Sequence, residues 1–136
     1  MHLRGQIALF AIGGVIGLVV DAGITQGLVG LAGFNPYTAR IVAFISAATV
    51  TWWWNRRHTF AHRASGHAAH AEWLRWMGLM IAGAVVNNGL YVVLLHLFPL
   101  LKTWPAIAVA AGSAAGAVVN FLLARSMLFK GAKATL

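Results

Sequence analysis

Two ionisable residues, Asp21 and Arg40, lie inside long apolar stretches of the sequence, where a charged side chain is costly and is therefore a candidate functional group. Arginine binds phosphate through two parallel hydrogen bonds, while carboxylates and carboxamides accept hydrogen bonds from hydroxyl groups. Asn87, in the third apolar stretch, supplies a carboxamide. These three residues predict a membrane-embedded site for a ligand that carries both an anion and hydroxyl groups.

A second group of polar residues lies near the ends of the second and fourth apolar stretches, on the side that we expect to face the cytoplasm. Its side chains suit a phosphate group. They are Asn55, Arg56, Arg57, Asn120 and Arg125. One interpretation is that this group contacts the ligand from the inner leaflet. The other is that it only fixes the topology and binds the headgroups of membrane lipids.

The composition shows what kind of protein carries these residues. Of 136 residues, 60% are hydrophobic and only 9% are charged, which is too apolar for a soluble domain. The formal net charge is +8, but the bases flank apolar stretches, so anionic lipids are expected partners and nucleic acid is not. There is no cysteine, and the acids Asp21 and Glu72 are far apart, so we expect neither catalysis nor a cofactor.

The apolar stretches predict an all-α membrane protein with one domain, residues 1–136, and four transmembrane helices. The predicted spans cover residues 7–29, 36–54, 74–98 and 105–128. A polar loop, residues 55–72, joins the second span to the third. Most bases lie in this loop or near the termini, namely Arg4, Arg56, Arg57, Arg63, Arg75, Arg125, Lys130 and Lys133. The positive-inside rule therefore predicts a cytoplasmic loop and cytoplasmic termini.

The two halves of the chain resemble each other, with one repeat over about residues 4–60 and the other over about residues 73–130. The second and fourth spans both begin with proline. Because each repeat has two spans, both repeats enter the membrane from the same side, which predicts parallel repeats. The halves differ at the polar positions: Asp21 corresponds to Asn87, and Arg40 corresponds to Val109.

Each span carries a stripe of small residues that leads to a polar one, as in Gly13, Gly17 and Asp21. Such stripes commonly serve close helix packing in membranes. At about 1.5 Å per residue, Asp21 lies roughly 9 Å and Arg40 roughly 6 Å below the outer edge of the hydrocarbon layer. We therefore expect the two side chains to lie at similar depths on neighbouring helices. They would form either a static ion pair or a site that opens when a ligand enters.

The central loop contains four histidines, His58, His62, His67 and His70, whose spacings would suit zinc on a helix. No thiol or acidic ligand supports such a site, and Ser65-Gly66 disfavours a helix. The sequence therefore predicts a solvated loop without a metal.

Four motifs stand out along the chain. They are Gly14-x2-Gly17-x2-Val20-Asp21, Asn35-Pro36-Tyr37-x-Ala39-Arg40, Asn55-Arg56-Arg57-x-Thr59-Phe60, and Asn120-Phe121-x3-Arg125 followed by Phe129. On these motifs the sequence resembles the GtrA-like family of small four-span membrane proteins. It has His58 where that family usually has an aromatic residue, and Ala124 where serine or asparagine is common.

The resemblance implies a role in the synthesis of cell-surface polysaccharide or O-antigen, in the bacterial cytoplasmic membrane. The expected task is to move a polyprenyl-phosphate-linked monosaccharide to the outer leaflet, where a membrane glycosyltransferase uses it. Arg40 would then receive the phosphate, while Asp21 and Asn87 would bind sugar hydroxyls.

Two other functions are compatible with a small four-span protein. A cation exporter resembling the small multidrug resistance transporters would also carry one acid in its first span, although Arg40 beside that acid weighs against a cationic substrate. A non-transporting subunit that positions a glycosyltransferase would use the small-residue stripes for contact. A homodimer that shields these stripes or shares the crevice is a further expectation.

Overall fold

Four α-helices make up most of the fold. The structure is a computed structural model that describes residues 2–132. Its helices are α1 (Leu3–Gly30), α2 (Pro36–Trp54), α3 (Ala69–Leu97) and α4 (Pro105–Leu123). The predicted all-α class is therefore confirmed. Lys133, one of the bases used to predict the topology, lies outside the described residues.

The helices turn large apolar side chains outward and small ones inward. Leu18, Val85 and Val118 are more than half exposed, whereas Ala39 and Ala108 are fully buried. A soluble protein does not expose such continuous apolar surface, but a bilayer covers it. Three helical stretches, namely α1, α3 and residues Pro105–Leu128, are long and apolar enough to cross a membrane. The protein is therefore a multi-pass membrane protein.

The second helix, α2, has the predicted limits and differs from the other three in composition. Asn35 caps it, because its Oδ1 accepts a hydrogen bond from the backbone N–H of Tyr37 at 2.8 Å. Pro36 occupies the first helical position, where no backbone donor is needed. Arg40, several threonines and the terminal tryptophans make α2 less apolar than its neighbours. That α2 also crosses the membrane, as the fourth span, stays a prediction.

The central loop is shorter than predicted. After α2 the chain continues into a wide π-helical turn, Asn55–Thr59, and α3 begins at Ala69 rather than at Leu74. The predicted loop over residues 55–72 is thereby reduced to residues 60–68. An acid in the first turn of a helix is stabilised by the helix dipole, which is consistent with the early start of α3 ahead of Glu72. The π-helical turn is not encoded by the α-helical periodicity used for the prediction.

The helices associate mainly in two pairs, α1 with α2 and α3 with α4. Both α2 and α4 end in a π-helical turn, and the second of these covers Ala124–Leu128. In both turns the following phenylalanine donates its backbone N–H five residues back, from Phe60 to Asn55 and from Phe129 to Ala124. Both halves share these features, while the predicted repeats, their parallel arrangement and the cytoplasmic termini stay predictions.

The two pairs are joined at the end of the bundle that contains both π-helical turns, which we call the π-turn end. Two short antiparallel strands, β1 (Arg63–Ala64) and β2 (Gly131–Ala132), pair there. Buried large side chains pack beside them, and these are Phe60, Trp76, Phe121, Leu128 and Phe129. Large residues thus fill the π-turn end, while small residues line the remaining interface and leave a space between the pairs.

Candidate functional site

A cavity of about 330 Å³ lies between the four helices. Five polar side chains reach its surface, each helix contributing at least one: Asp21, Thr51, Asn87, Ser113 and Asn120. Most of the remaining lining is glycine and alanine. The volume lies within the range of roughly 300–1,000 Å³ that is usual for small-ligand sites. The cavity therefore combines hydrogen-bonding groups with small apolar surfaces.

Small residues allow the amide side chains to enter the interface between α3 and α4. Asn120 packs directly against Gly83, and Asn87 packs against Gly116. A methyl group at Gly83 would overlap the amide of Asn120, so no larger residue fits there without movement. Within the described residues the buried Oδ1 of Asn120 has no hydrogen-bond partner. The predicted stripes therefore position both carboxamides at the cavity.

Asp21 and Arg40 form an ion pair between α1 and α2. The Nη1 of Arg40 donates a hydrogen bond to Oδ1 of Asp21 at 2.8 Å and a second, longer one to Oγ1 of Thr25 at 3.3 Å. Thr25 lies one turn beyond Asp21, so a single face of α1 supplies both acceptors. The two charges are close together, as their estimated depths predict.

Arg40 lies at the rim of the cavity rather than inside it. Asp21 lines the cavity, whereas Arg40 is absent from the lining. The side chain of Arg40 is 57% exposed and that of Asp21 is 23% exposed. The carboxylate of Asp21 therefore faces the cavity, and the guanidinium of Arg40 lies farther out. A ligand that contacts both would extend from the cavity across its rim.

The polar residues predicted at the cytoplasmic side are not gathered into one cluster. Asn120 lines the cavity. Asn55 is buried at the start of the first π-helical turn, where its amide donates to Thr51 O at 2.7 Å and its Oδ1 accepts from Thr59 at 2.6 Å. Arg125 donates from Nε to Oε1 of Gln6 at 2.8 Å. Asn55 and Arg125 thus have structural partners at the π-turn end.

Arg56, Arg57 and His58 each lie over the aromatic ring of the residue four positions earlier. The guanidinium carbons of Arg56 and Arg57 lie 5.5 and 5.4 Å from the ring centroids of Trp52 and Trp53. His58 packs on Trp54 with ring centroids 4.1 Å apart. The ring of His58 therefore lies among aromatic rings. An aromatic residue, which the GtrA-like family usually has at this position, would fit the same surroundings.

The sequence interpretation missed the role of Glu72. It is 97% buried, and its carboxylate accepts hydrogen bonds from Trp52 Nε1 at 3.0 Å and Ser65 Oγ at 2.5 Å. It also pairs with Arg56 Nε at 3.3 Å. Glu72 thus connects α2, the short loop and α3. Its one available signal was that it is the only acid near a run of tryptophans and arginines.

Arg63 is a second residue that the sequence interpretation did not single out. Its Nη2 donates to Arg125 O at 3.0 Å, and its Nε donates to Phe129 O. Burial, and then the positive charge of Arg125, lower the pKa of Arg63 from its ordinary value. Arg63 therefore holds the loop of the first half to the end of the second half.

The histidines of the loop do not converge. Over residues 2–132 no three side chains among histidine, aspartate and glutamate come close enough to hold a metal ion together.

Comparison with known proteins identifies the chain at the level of its family. No curated protein matches the sequence. The family model described as GtrA/DPMS, transmembrane domain, matches residues 9–129, which include all four helices except the first turns of α1. This family indicates a membrane protein of glycosylation-related polysaccharide synthesis. Because the match covers most of the chain, the protein belongs to the GtrA/DPMS transmembrane-domain family.

Proposed function

We propose that the protein moves a polyprenyl-phosphate-linked monosaccharide across the bacterial cytoplasmic membrane, for the glycosylation of cell-surface polysaccharide or O-antigen. The observation that carries this proposal is the Asp21–Arg40 ion pair at the rim of a polar cavity between apolar helices. A charged pair is costly inside hydrocarbon, so its presence there calls for a function. Binding of an anionic ligand by the arginine of the pair would supply that function.

The sugar is assigned to the cavity. Its hydroxyl groups would find an acceptor on Asp21, an acceptor and donors on Asn87, amide donors on Asn120, and hydroxyl partners on Thr51 and Ser113. The largely glycine and alanine walls leave room for a ring. A neutral sugar enters without bringing an additional charge into the low-dielectric interior.

The phosphate is assigned to Arg40, because this guanidinium lies just outside the cavity and its side chain is more than half exposed. The N-terminus of α2, near Arg40, adds the positive end of a helix dipole. The prenyl chain then lies along the apolar outer faces of the helices, and only the polar headgroup passes through the protein. This division avoids enclosing a long lipid tail in a small bundle.

Arg56, Arg57 and Arg125 are assigned to the inner leaflet. They would attract the phosphate of an incoming substrate, or the headgroups of anionic lipids, before the headgroup enters the cavity. Arg56 and Arg57 suit this role because both project from the π-turn end beside tryptophans, which favour the membrane interface. A membrane glycosyltransferase is the proposed consumer of the delivered lipid. On this proposal the protein itself is not an enzyme.

The cation exporter is the less favoured alternative. Asp21 is the one carboxylate among the residues that line the described cavity, and Arg40 already pairs with it. A cationic substrate would have to displace this arginine and would meet its repulsion.

The test is reconstitution of the purified protein into vesicles that contain a polyprenyl-phosphate-linked hexose. Membrane-impermeant periodate oxidises sugar in the outer leaflet, so a transporting protein makes the inner-leaflet pool accessible with time. Transfer no faster than in protein-free vesicles would contradict the proposal. Proton-driven export of a cationic dye would support the exporter instead. Absence of both activities, with stimulation of a co-reconstituted glycosyltransferase, would support a non-transporting subunit.

A further inference from the structure

The two edges of the Arg40 guanidinium have different environments. Nη1 donates to both acceptors on α1, Asp21 and Thr25. A guanidinium has five N–H donors, one on Nε and two on each Nη. Over residues 2–132 neither Nε nor Nη2 of Arg40 donates a hydrogen bond to the protein. Three donors therefore remain while the ion pair is intact.

The remaining donors have the arrangement that phosphate recognition requires. Nε and Nη2 lie on one side of the planar guanidinium and form a fork that binds two oxygens at once. The fork belongs to a side chain that is 57% exposed, outside the cavity lining. It is therefore accessible from the rim, where the proposed function has the phosphodiester.

We propose that Arg40 binds the phosphate through Nε and Nη2 while Nη1 stays bonded to Asp21 and Thr25, so that the ion pair persists throughout loading. This inference rests on the proposed function and specifies how its site works. Thr25 is then a positioning residue, because it orients the guanidinium without touching the ligand.

A persistent pair has two physical advantages over one that opens. Opening would leave the Asp21 carboxylate without its cation inside the membrane, and an unpaired charge there is costly. The carboxylate also weakens the field that Arg40 exerts on the phosphate. Weaker attraction favours release, and a transport site must release its ligand as well as bind it.

Binding of polyprenyl phosphate without a sugar tests this inference, because it isolates the phosphate from the cavity. Affinity is measured on the purified full-length protein by native mass spectrometry. Thr25→Val keeps the shape of the side chain but removes its hydroxyl, and it is expected to weaken binding by roughly three- to tenfold, the equivalent of one hydrogen bond. The control variant Thr25→Ser keeps the hydroxyl group, and it is expected to bind polyprenyl phosphate as tightly as the unmodified protein.

The direction in which Thr25→Val changes the affinity for polyprenyl phosphate distinguishes an ion pair that persists from one that opens. If the pair must open, loss of an acceptor that holds Arg40 makes opening easier, and binding becomes tighter. A second variant, Arg40→Lys, keeps the positive charge for Asp21 but has no fork. It is expected to lose about tenfold or more in affinity.

Unchanged or tighter binding in Thr25→Val, or unchanged binding in Arg40→Lys, would overturn the inference. The experiments distinguish a wrong binding mode for Arg40 from a wrong transport function. Transport of lipid-linked sugar with unaffected variants would refute only the binding mode. Fork-dependent phosphate binding without any sugar transfer would refute only the transport function.

Discussion

Phe60 and Phe129 stack with ring centroids 4.9 Å apart and ring planes 11° apart, although they are in different halves of the chain. Each is the residue that directly follows a π-helical turn, and both are almost completely buried. The stack joins the two helix pairs at the π-turn end. Exchanging either ring for leucine should therefore weaken the connection between the halves.

A double-mutant cycle of Phe60→Leu and Phe129→Leu checks this relationship. Each single change should lower the free energy of unfolding, and the coupling energy should be about 0.5–1.5 kcal/mol, as for a contacting aromatic pair. The measurement is unfolding in detergent, followed by circular dichroism. Phe98→Leu is the control, since Phe98 is 56% exposed and outside this core. Strict additivity of the two losses would mean that the stack contributes no stability of its own.

Arg40→Ala and Asp21→Ala should each abolish transfer of the lipid-linked sugar while the protein still inserts into the membrane. The first removes the phosphate contact, and the second removes a sugar acceptor and the partner of Arg40. Transfer is measured with the periodate assay, and insertion by extraction and gel filtration. Lys102→Ala is the matched control, because it also removes one positive charge but lies in the exposed turn between α3 and α4. Unmodified rates in both site variants would show that the pair is only structural.

Asn87→Asp makes the second half resemble the first but should impair transfer. The new carboxylate would line the cavity without a basic partner, since the position corresponding to Arg40 is Val109. Repulsion from Asp21 and incomplete solvation would disfavour its charged form. We expect a slower rate and weaker binding of the sugar-bearing lipid, but little change in the binding of polyprenyl phosphate alone. An unimpaired rate would make the asymmetry between the halves incidental.

Gly83→Ala should force the side chain of Asn120 out of its packed position between α3 and α4, because the added methyl group would overlap its amide. Overpacking of this kind costs about 1–3 kcal/mol. Thermal unfolding in detergent measures the loss. Gly78→Ala on the same helix is the control, since its methyl group would meet no atom within 4 Å. Equal stability of the two variants would contradict the close packing of Asn120 on Gly83.

Glu72→Ala should loosen the short loop, because Trp52, Ser65 and Arg56 all lose their shared acceptor. Ser65 would no longer anchor the loop to α3, so trypsin should cleave after Arg63 faster than in the unmodified protein. His70→Ala, an exposed change in the same helical turn, serves as the control. The same cleavage rate in both variants would show that other contacts hold the loop.

The sequence by itself determined the membrane class and the limits of α2, and it singled out Asp21 and Asn87 among the polar residues that line the cavity. Long apolar stretches need a bilayer, proline and asparagine mark a helix start locally, and a charge within hydrocarbon stands out against its neighbours. The closeness of Asp21 and Arg40 also followed from the sequence, because helix rise converts residue number into depth.

Only the tertiary structure decided which partners these residues have. Asn120 lies at the cavity rather than with Arg125, and Arg40 lies at the rim while Asp21 faces inward. The roles of Glu72 and Arg63 also emerged only there. Their partners are far away along the chain, and the rotation of each helix about its axis depends on how small and large side chains fit together. Periodicity predicts which residues share a face, but packing selects what that face meets.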